Sequence, residues 1–305
     1  MIAPVTTRSG FLGNCREFLE MIKVSHTLFA LPFAIGAVFL AIRGQQIPLQ
    51  KFLPLLGQVL VAVILARTAA MSFNRWTDRH IDGANPRTRD RSIPAGRLTA
   101  RSVLLATALS VAGFLLVAWS INPLALKLSP VVLVVILGYS WTKRFTSLCH
   151  LILGIGLALA PLGAWVAIRG TLTADQGGIE FTPWILAGAV MLWTAGFDIL
   201  YACLDTDFDR QHRLHSIPER LGISMALRVA ALLHSAMALM LFWLWQHAQL
   251  GTPFLVATII VCILLVAEHR LVKPDDLRRV NRAFFTLNAL VSLILMVALI
   301  IEGWA

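Results

Sequence analysis

The chain has 305 residues, 58% of them hydrophobic and only 14% charged, with a net charge of +10. A soluble domain carries about a quarter charged residues, so composition excludes an ordinary soluble fold. The basic charge does not mark a nucleic-acid binder, because it alternates from loop to loop instead of gathering in one patch.

Residues 1–25 lack the short apolar core and small-residue cleavage site of a secretory signal. For residues 1–10 a frayed tail is as good a reading as any. From there on, Phe11, Leu12, Phe18, Leu19 and Ile22 fall on one helical face, with Arg16, Glu17 and Lys23 away from it. That pattern predicts an interfacial helix leading into the membrane. Apolar stretches long enough to cross a hydrocarbon core of about 30 Å then recur near 26–42, 53–73, 103–121, 123–140, 150–168, 183–203, 226–246, 252–267 and 283–302. The expected fold is therefore all-α, an integral membrane bundle of about nine transmembrane helices. Little more than Asn122-Pro123 separates the third and fourth spans, which predicts a tight hairpin.

The N-terminal tail and the even-numbered gaps between spans hold most of the lysine and arginine. The second gap alone carries Arg75, Arg79, Arg87, Arg89, Arg91, Arg97 and Arg101, whereas the odd-numbered gaps have Arg43, Lys51 and Arg169. Short basic loops stay in the cytoplasm. The reading is a multi-pass protein of the inner (plasma) membrane, with its N-terminus inside and its C-terminus outside. Cys15, Cys149, Cys203 and Cys262 show no CxxC or Cys/His spacing, so neither a disulfide framework nor a zinc site is supported.

A repeat emerges from the cytoplasmic loops. After the second span comes Asn74-Arg75-Trp76-Thr77-Asp78-Arg79-His80-Ile81-Asp82, followed by Ser92-Ile93-Pro94. After the sixth comes Asp205-Thr206-Asp207-Phe208-Asp209, followed by Ser216-Ile217-Pro218. Asp78 and Asp205 are 127 positions apart, as are Asp82 and Asp209. An even number of spans lies between the copies, so both face the same side. The chain reads as one domain, residues 1–305, made of two pseudo-repeats of roughly 20–145 and 146–305, with the site where the halves face each other.

On a helix, residues four apart share a face, so Asp78 and Asp82 present neighbouring carboxylates with Asn74 one turn earlier. Alone, such a pair reads equally well as a solvated helix end. Two copies at a membrane surface need positive charge between them, and hard oxygen ligands with a phosphate partner suit magnesium. Asp198 lies inside the sixth span, where a charge is costly and functional by default. Tyr139 and Lys143 share one face at the end of the fourth span. Lys143 and Arg144 either hold anionic oxygens or snorkel to headgroups. Arg67 is on the face of Asn74 and points inward, paired with Asp198 or bound to an anionic ligand.

Asn74-x3-Asp78-x3-Asp82, with Asp198-x2-Tyr201-Ala202-x2-Asp205-x3-Asp209, resembles the paired signatures of the UbiA superfamily of intramembrane aromatic prenyltransferases. The resemblance covers nearly the whole chain. It implies helices around a central cavity open to lipid, with cytoplasmic cap loops over a diphosphate. It further implies that Asn74, Asp78, Asp205 and Asp209 ligate Mg2+, with Asp82 alongside. Tyr139 and Lys143 would touch the diphosphate, and Asp198 would orient or deprotonate the acceptor. Arg67, Arg75, Arg144 and Tyr201 complete the substrate-binding candidates. Position 75 departs from the family pattern, since many quinone-pathway members have Asp there. The change removes an acid, adds a diphosphate contact or marks another subgroup.

The chemistry implied is departure of a magnesium-neutralised diphosphate, leaving an allylic cation that an electron-rich ring attacks. Trp165 and Trp193 are candidates for the aromatic lining of that cation. The loop sequence from Asp78 through Thr88 to Gly96 looks most like the branch acting on 4-hydroxybenzoate in quinone biosynthesis, using a polyprenyl diphosphate. Thr142-Lys143-Arg144-Phe145-Thr146 with Gly163-Ala164-Trp165 resembles a bacterial subset whose acceptor would be 1,4-dihydroxy-6-naphthoate, for menaquinone. A transporter with intramembrane carboxylates is the alternative from another class; clustering of the acids at one face counts against it.

Overall fold

The structure, a computed structural model, describes residues 11–23, 27–174 and 177–304. The reading of residues 1–10 and the first residue of the first predicted span fall outside them. α1 (Phe11–Met21) precedes α2 (Thr27–Ile42) and α3 (Leu49–Thr77). The short α4 (Arg79–Ala84) follows, then α5 (Ala100–Ile121), α6 (Pro123–Thr142), α7 (Cys149–Arg169) and α8 (Phe181–Ala202). A single 3-10 turn leads to α9 (Thr206–Gln211), α10 (Ile217–Leu221), α11 (Ile223–His247) and α12 (Thr252–Leu271). α13 (Val280–Arg282) runs through a π-helical turn into α14 (Asn288–Trp304).

Among the described residues eight helices are long and apolar enough to cross a membrane, and α2 contributes a shorter apolar stretch, Phe29–Ile42. These nine correspond to the nine predicted spans. α3 is longer than its apolar run, at 29 residues. At 1.5 Å per residue that is about 44 Å, so its last turns carry Asn74 beyond the hydrocarbon core. The α5–α6 hairpin forms as expected: Asn122 is extended, accepts from the Ala125 amide at 2.8 Å, and Pro123 occupies the first turn. Asn122 also donates to the Val166 carbonyl at 2.9 Å, which ties the hairpin to α7.

Neighbouring helices close a circuit α3–α5–α6–α7–α8–α11–α12–α14–α2 and back to α3, with α2 also packed on α7. α7 and α8 meet closely at Gly154, where any side chain would run into the Met191 carbonyl. The circuit is not filled evenly. α2, α7, α8, α11, α12 and α14 share one solid core that includes Phe33, Trp193, Leu241, Phe254 and Leu299. On the other side, α3, α5, α6, α7 and one face of α8 surround an open cavity. Outward faces stay apolar, as at Leu109, Trp119, Val134, Leu232 and Leu239, in keeping with lipid as the outer solvent.

α1 is partly held by protein. Phe18, Met21 and Ile22 pack against Met71, Trp76, Ile93, Leu98 and Val103, while Leu19 of the same helix stays exposed. Its polar side finds a partner too: Glu17 accepts from Ser92 at 2.5 Å and from Arg97 at 2.8 Å. Burial works against the Glu17 charge, but these two hydrogen bonds and the Arg97 charge outweigh it and hold the carboxyl below its ordinary value. The first Ser-Ile-Pro thus clasps α1, whereas Ser216 of the second caps α10.

Candidate active site

The cavity has a volume of about 640 Å³ and is mainly apolar along its length, within the range of small-molecule sites. Its polar groups gather at one end, where α3, α6 and α8 terminate. Asn74, Arg75, Asp78, Asp82, Tyr139, Lys143, Arg144, Asp198, Tyr201, Asp205 and Asp209 all line it, and so does Arg67 higher on α3. Sequence positions more than a hundred apart are brought together because α3 and α8 end at the same level.

Every acid of the two clusters has a basic partner. Arg144 donates to Asp78 at 3.1 Å and to the Thr77 carbonyl at 2.9 Å. Arg91 reaches Asp82 at 2.6 Å. Arg87 binds both oxygens of Asp205, with its Nε at 2.9 Å, and donates to the Tyr201 hydroxyl at 2.8 Å. Lys143 Nζ stands 2.8 Å from Asp209, whose second oxygen accepts from Ser216 at 2.9 Å. Successive residues at the end of α6 therefore serve opposite clusters: Arg144 the first, Lys143 the second. A carbonyl–amide hydrogen bond of 2.7 Å from His215 to Lys143 fixes the second loop beside them.

Burial opposes charge on Lys143, but the adjacent Asp209 more than offsets it and lifts the ammonium above its ordinary pKa. Arg87 is likewise raised, Asp205 overcoming its burial. The Asp78 carboxyl is raised as well, here at the expense of its charge: burial lifts it, and Arg144 only partly restrains it.

Asn74 donates to Asp78 at 2.9 Å and accepts from Arg75 at 3.1 Å, so Arg75 is turned into the first cluster. Among the described residues no three Asp, Glu, His or Cys side chains converge on one point as a metal would require. The acids are instead engaged with their basic partners. Two buried carboxylate oxygens of the clusters accept no hydrogen bond, Asp209 Oδ1 and Asp82 Oδ2. Lys143 stands beside the first, whereas on Asp82 the ion pair with Arg91 uses the other oxygen. A buried carboxylate oxygen left over in a set of hard oxygen donors fits a divalent cation.

Three expectations need correction. Arg67 does not pair with Asp198; its guanidinium donates to the Lys23 carbonyl at 2.7 Å, beyond the end of α1. Asp198 pairs with His150, at 2.6 Å. Neither Trp165 nor Trp193 lines the cavity. Trp193 is wholly buried in the solid core and donates to Asn288 at 2.6 Å, while Trp165 stacks against Arg169. The aromatic rings that do face the cavity include Phe29, Phe114, Trp184, Phe197 and Phe208. Sequence reasoning passed over Asn85 and His150, and saw Arg87 and Arg91 only as loop charge. The signal for Arg87 was its place within Asn85-Pro86-Arg87-Thr88, where Asn85 also donates to Asp205, at 3.0 Å.

A polytopic helical protein with an apolar cavity, whose polar end holds opposed acid clusters and their basic partners, has the build of an intramembrane enzyme. Residues 30–290 match the UbiA prenyltransferase family, and the chain belongs to it. Among curated relatives it is similar to the 4-hydroxybenzoate octaprenyltransferase of Vibrio vulnificus, 31% identical over 80% of this chain and 83% of the relative. The enzyme of the same name from Vibrio cholerae is 29% identical over 94% of this chain and 96% of its own. Among solved structures, a UbiA homologue from Aeropyrum pernix in its apo form superposes with a TM-score of 0.79. It is 32% identical, with 92% of this chain and 98% of that one covered. A UbiA homologue from Archaeoglobus fulgidus, bound to DMAPP and Mg2+, shares the fold at 17% identity, with a TM-score of 0.71 and 95% and 99% covered.

Proposed function

We propose that this prenyltransferase moves a polyprenyl group from a polyprenyl diphosphate to a hydroxylated aromatic carboxylate of the 4-hydroxybenzoate type, in quinone biosynthesis, with Mg2+. The observation that carries the reading is the opposition of the two acid clusters, with Lys143 and Arg144 between them, at the polar end of an otherwise apolar cavity. Asn74, Asp78, Asp82, Asp205 and Asp209 would hold the metal, which neutralises charge developing on the leaving diphosphate. Lys143, Arg144, Arg75 and Tyr139 line the same end and take the diphosphate oxygens. When an anion arrives, a basic side chain that turns to it frees the carboxylate it had paired with. The apolar walls accommodate the prenyl tail and keep water from the allylic cation. Asp198, deeper on α8, takes the acceptor side and orients or deprotonates its hydroxyl. The two halves of the chain supply one cluster each, in keeping with two pseudo-repeats, and the excess of basic residues in the same loops supports a cytoplasmic side for the clusters and the N-terminus.

An acceptor panel decides the substrate. Purified protein with Mg2+ and one long prenyl diphosphate is expected to prenylate 4-hydroxybenzoate. Preferential turnover of 1,4-dihydroxy-6-naphthoate would overturn the acceptor assignment and leave the prenyl transfer standing.

A further inference from the structure

His150 belongs to none of the sequence signatures, yet the fold sets it between the acceptor-side acid and the second acid cluster. It is the second residue of α7 and its ring is 2% exposed. Nδ1 lies 2.6 Å from Asp198 Oδ2. On the far edge of the ring, Nε2 accepts from the Ile217 amide at 3.3 Å. A ring nitrogen that accepts carries no proton, so a neutral imidazole in this setting keeps its proton on Nδ1 and donates it to Asp198. Oδ1 is then the Asp198 oxygen left for a ligand in the cavity that this residue lines. Ile217 follows Ser216, whose hydroxyl donates to Asp209 at 2.9 Å. One turn of chain thus touches the second cluster with its side chain and the imidazole with its backbone.

We propose that His150 is a positioning residue, holding the Asp198 carboxylate in a single orientation and referring it to the Ser216-Ile217 turn beside the second acid cluster. The inference rests on the reading of Asp198 as the acceptor-side acid. A carboxylate with one free torsion and no second anchor samples several directions. A misplacement of about 1 Å at a reacting group is enough to cost roughly 100-fold in rate.

Three variants separate positioning from packing. Asparagine sets its amide nitrogen where Nδ1 stands and still donates to Asp198. Glutamine sets its amide near Nε2, within reach of Ile217 but not of Asp198. Alanine keeps neither. His150→Ala and His150→Gln are expected to lower kcat by roughly 10- to 100-fold with the KM for prenyl diphosphate unchanged. His150→Asn is expected to restore most of the rate. Wild-type turnover in His150→Ala, equal rescue by Gln and Asn, or a loss confined to the diphosphate KM would each overturn the proposal. So would failure of all three variants to fold, which would make His150 a packing residue. Asp198→Asn is assayed beside them. Normal turnover in that variant ends the reading of Asp198 itself, whereas an inactive Asp198→Asn with unaffected His150 variants ends only the role given to His150.

Discussion

Replacing Lys143 with methionine removes the ammonium from Asp209 and keeps most of the stem's volume. The Asp209 side chain is 0% exposed and that of Lys143 is 35% exposed. The pair therefore lies between an exposed ion pair, worth about 0–1 kcal/mol, and a buried one, whose breaking costs about 3–5 kcal/mol. Asp209 would keep only its hydrogen bond from Ser216. Discounted for the partly solvated ammonium, the loss is about 2 kcal/mol, or about 30-fold in the unfolding equilibrium. Reversible unfolding in mixed detergent micelles reads it directly. Because the folded-state pKa of Lys143 is raised, its contribution is complete below the ordinary value of 10.5 and fades only as pH climbs through the folded value. Burial already raises the Asp209 carboxyl, and without Lys143 to restrain it the carboxyl rises further. The gap between wild type and variant should thus be widest in alkaline solution below the folded value of Lys143, and narrow as pH falls and the stranded acid takes up a proton. Adding Asp209→Asn removes the stranded charge and should recover most of the stability while turnover stays lost. A single variant as stable as wild type, or a double variant no more stable than the single, would refute the argument.

Asp78→Ala and Asp205→Ala should each abolish prenyl transfer in membranes, and chelator should do the same until Mg2+ is restored; substantial activity in either variant would remove its cluster from the site. Cysteines introduced at Arg89, His212 and Asp275, all exposed, should label from the cytoplasmic side, and one at Thr173 from the opposite side. Glu17→Gln should loosen α1 by about 1 kcal/mol, seen as faster hydrogen exchange in α1 at neutral pH. The Glu17 carboxyl is depressed, so its contribution is present above the ordinary value of 4.5 and lost as pH falls through the lower folded value. Wild type and Glu17→Gln should then exchange alike in sufficiently acid solution.

The helices were legible because a bilayer imposes a length and an apolar content that few other environments require. The acids were legible because a charge at a membrane surface, repeated at the same spacing, stands out against an apolar background. Partners were harder. Arg87 and Arg91 looked like any other cytoplasmic loop charge, and only the folded loop brings Arg87 to Asp205 across 118 positions of chain. His150 was hidden for a different reason: a single imidazole at the head of an apolar helix carries no period. Trp165 and Trp193 failed as cavity residues because periodicity marks an inward face without saying whether it meets the void or the core. The contacts of α1 were hidden for a related reason, since an amphipathic face fits a protein surface as well as a lipid one, and Phe18 and Ile22 meet protein while Leu19 does not.

The uneven filling of the helical circuit divides the protein into parts that tolerate change differently. In the solid core, Met237, Leu241, Leu244, Leu295 and Leu299 are wholly buried, and at native packing density an added methylene there has nowhere to go. Along the cavity, small side chains at Ala66, Ala70, Ala118, Gly156 and Ala160 face open volume. Growth at those positions narrows the void without forcing helices apart. Substitution at these cavity-lining positions of α3, α5 and α7 is therefore expected to reshape the void at little cost to stability, which the packed half carries.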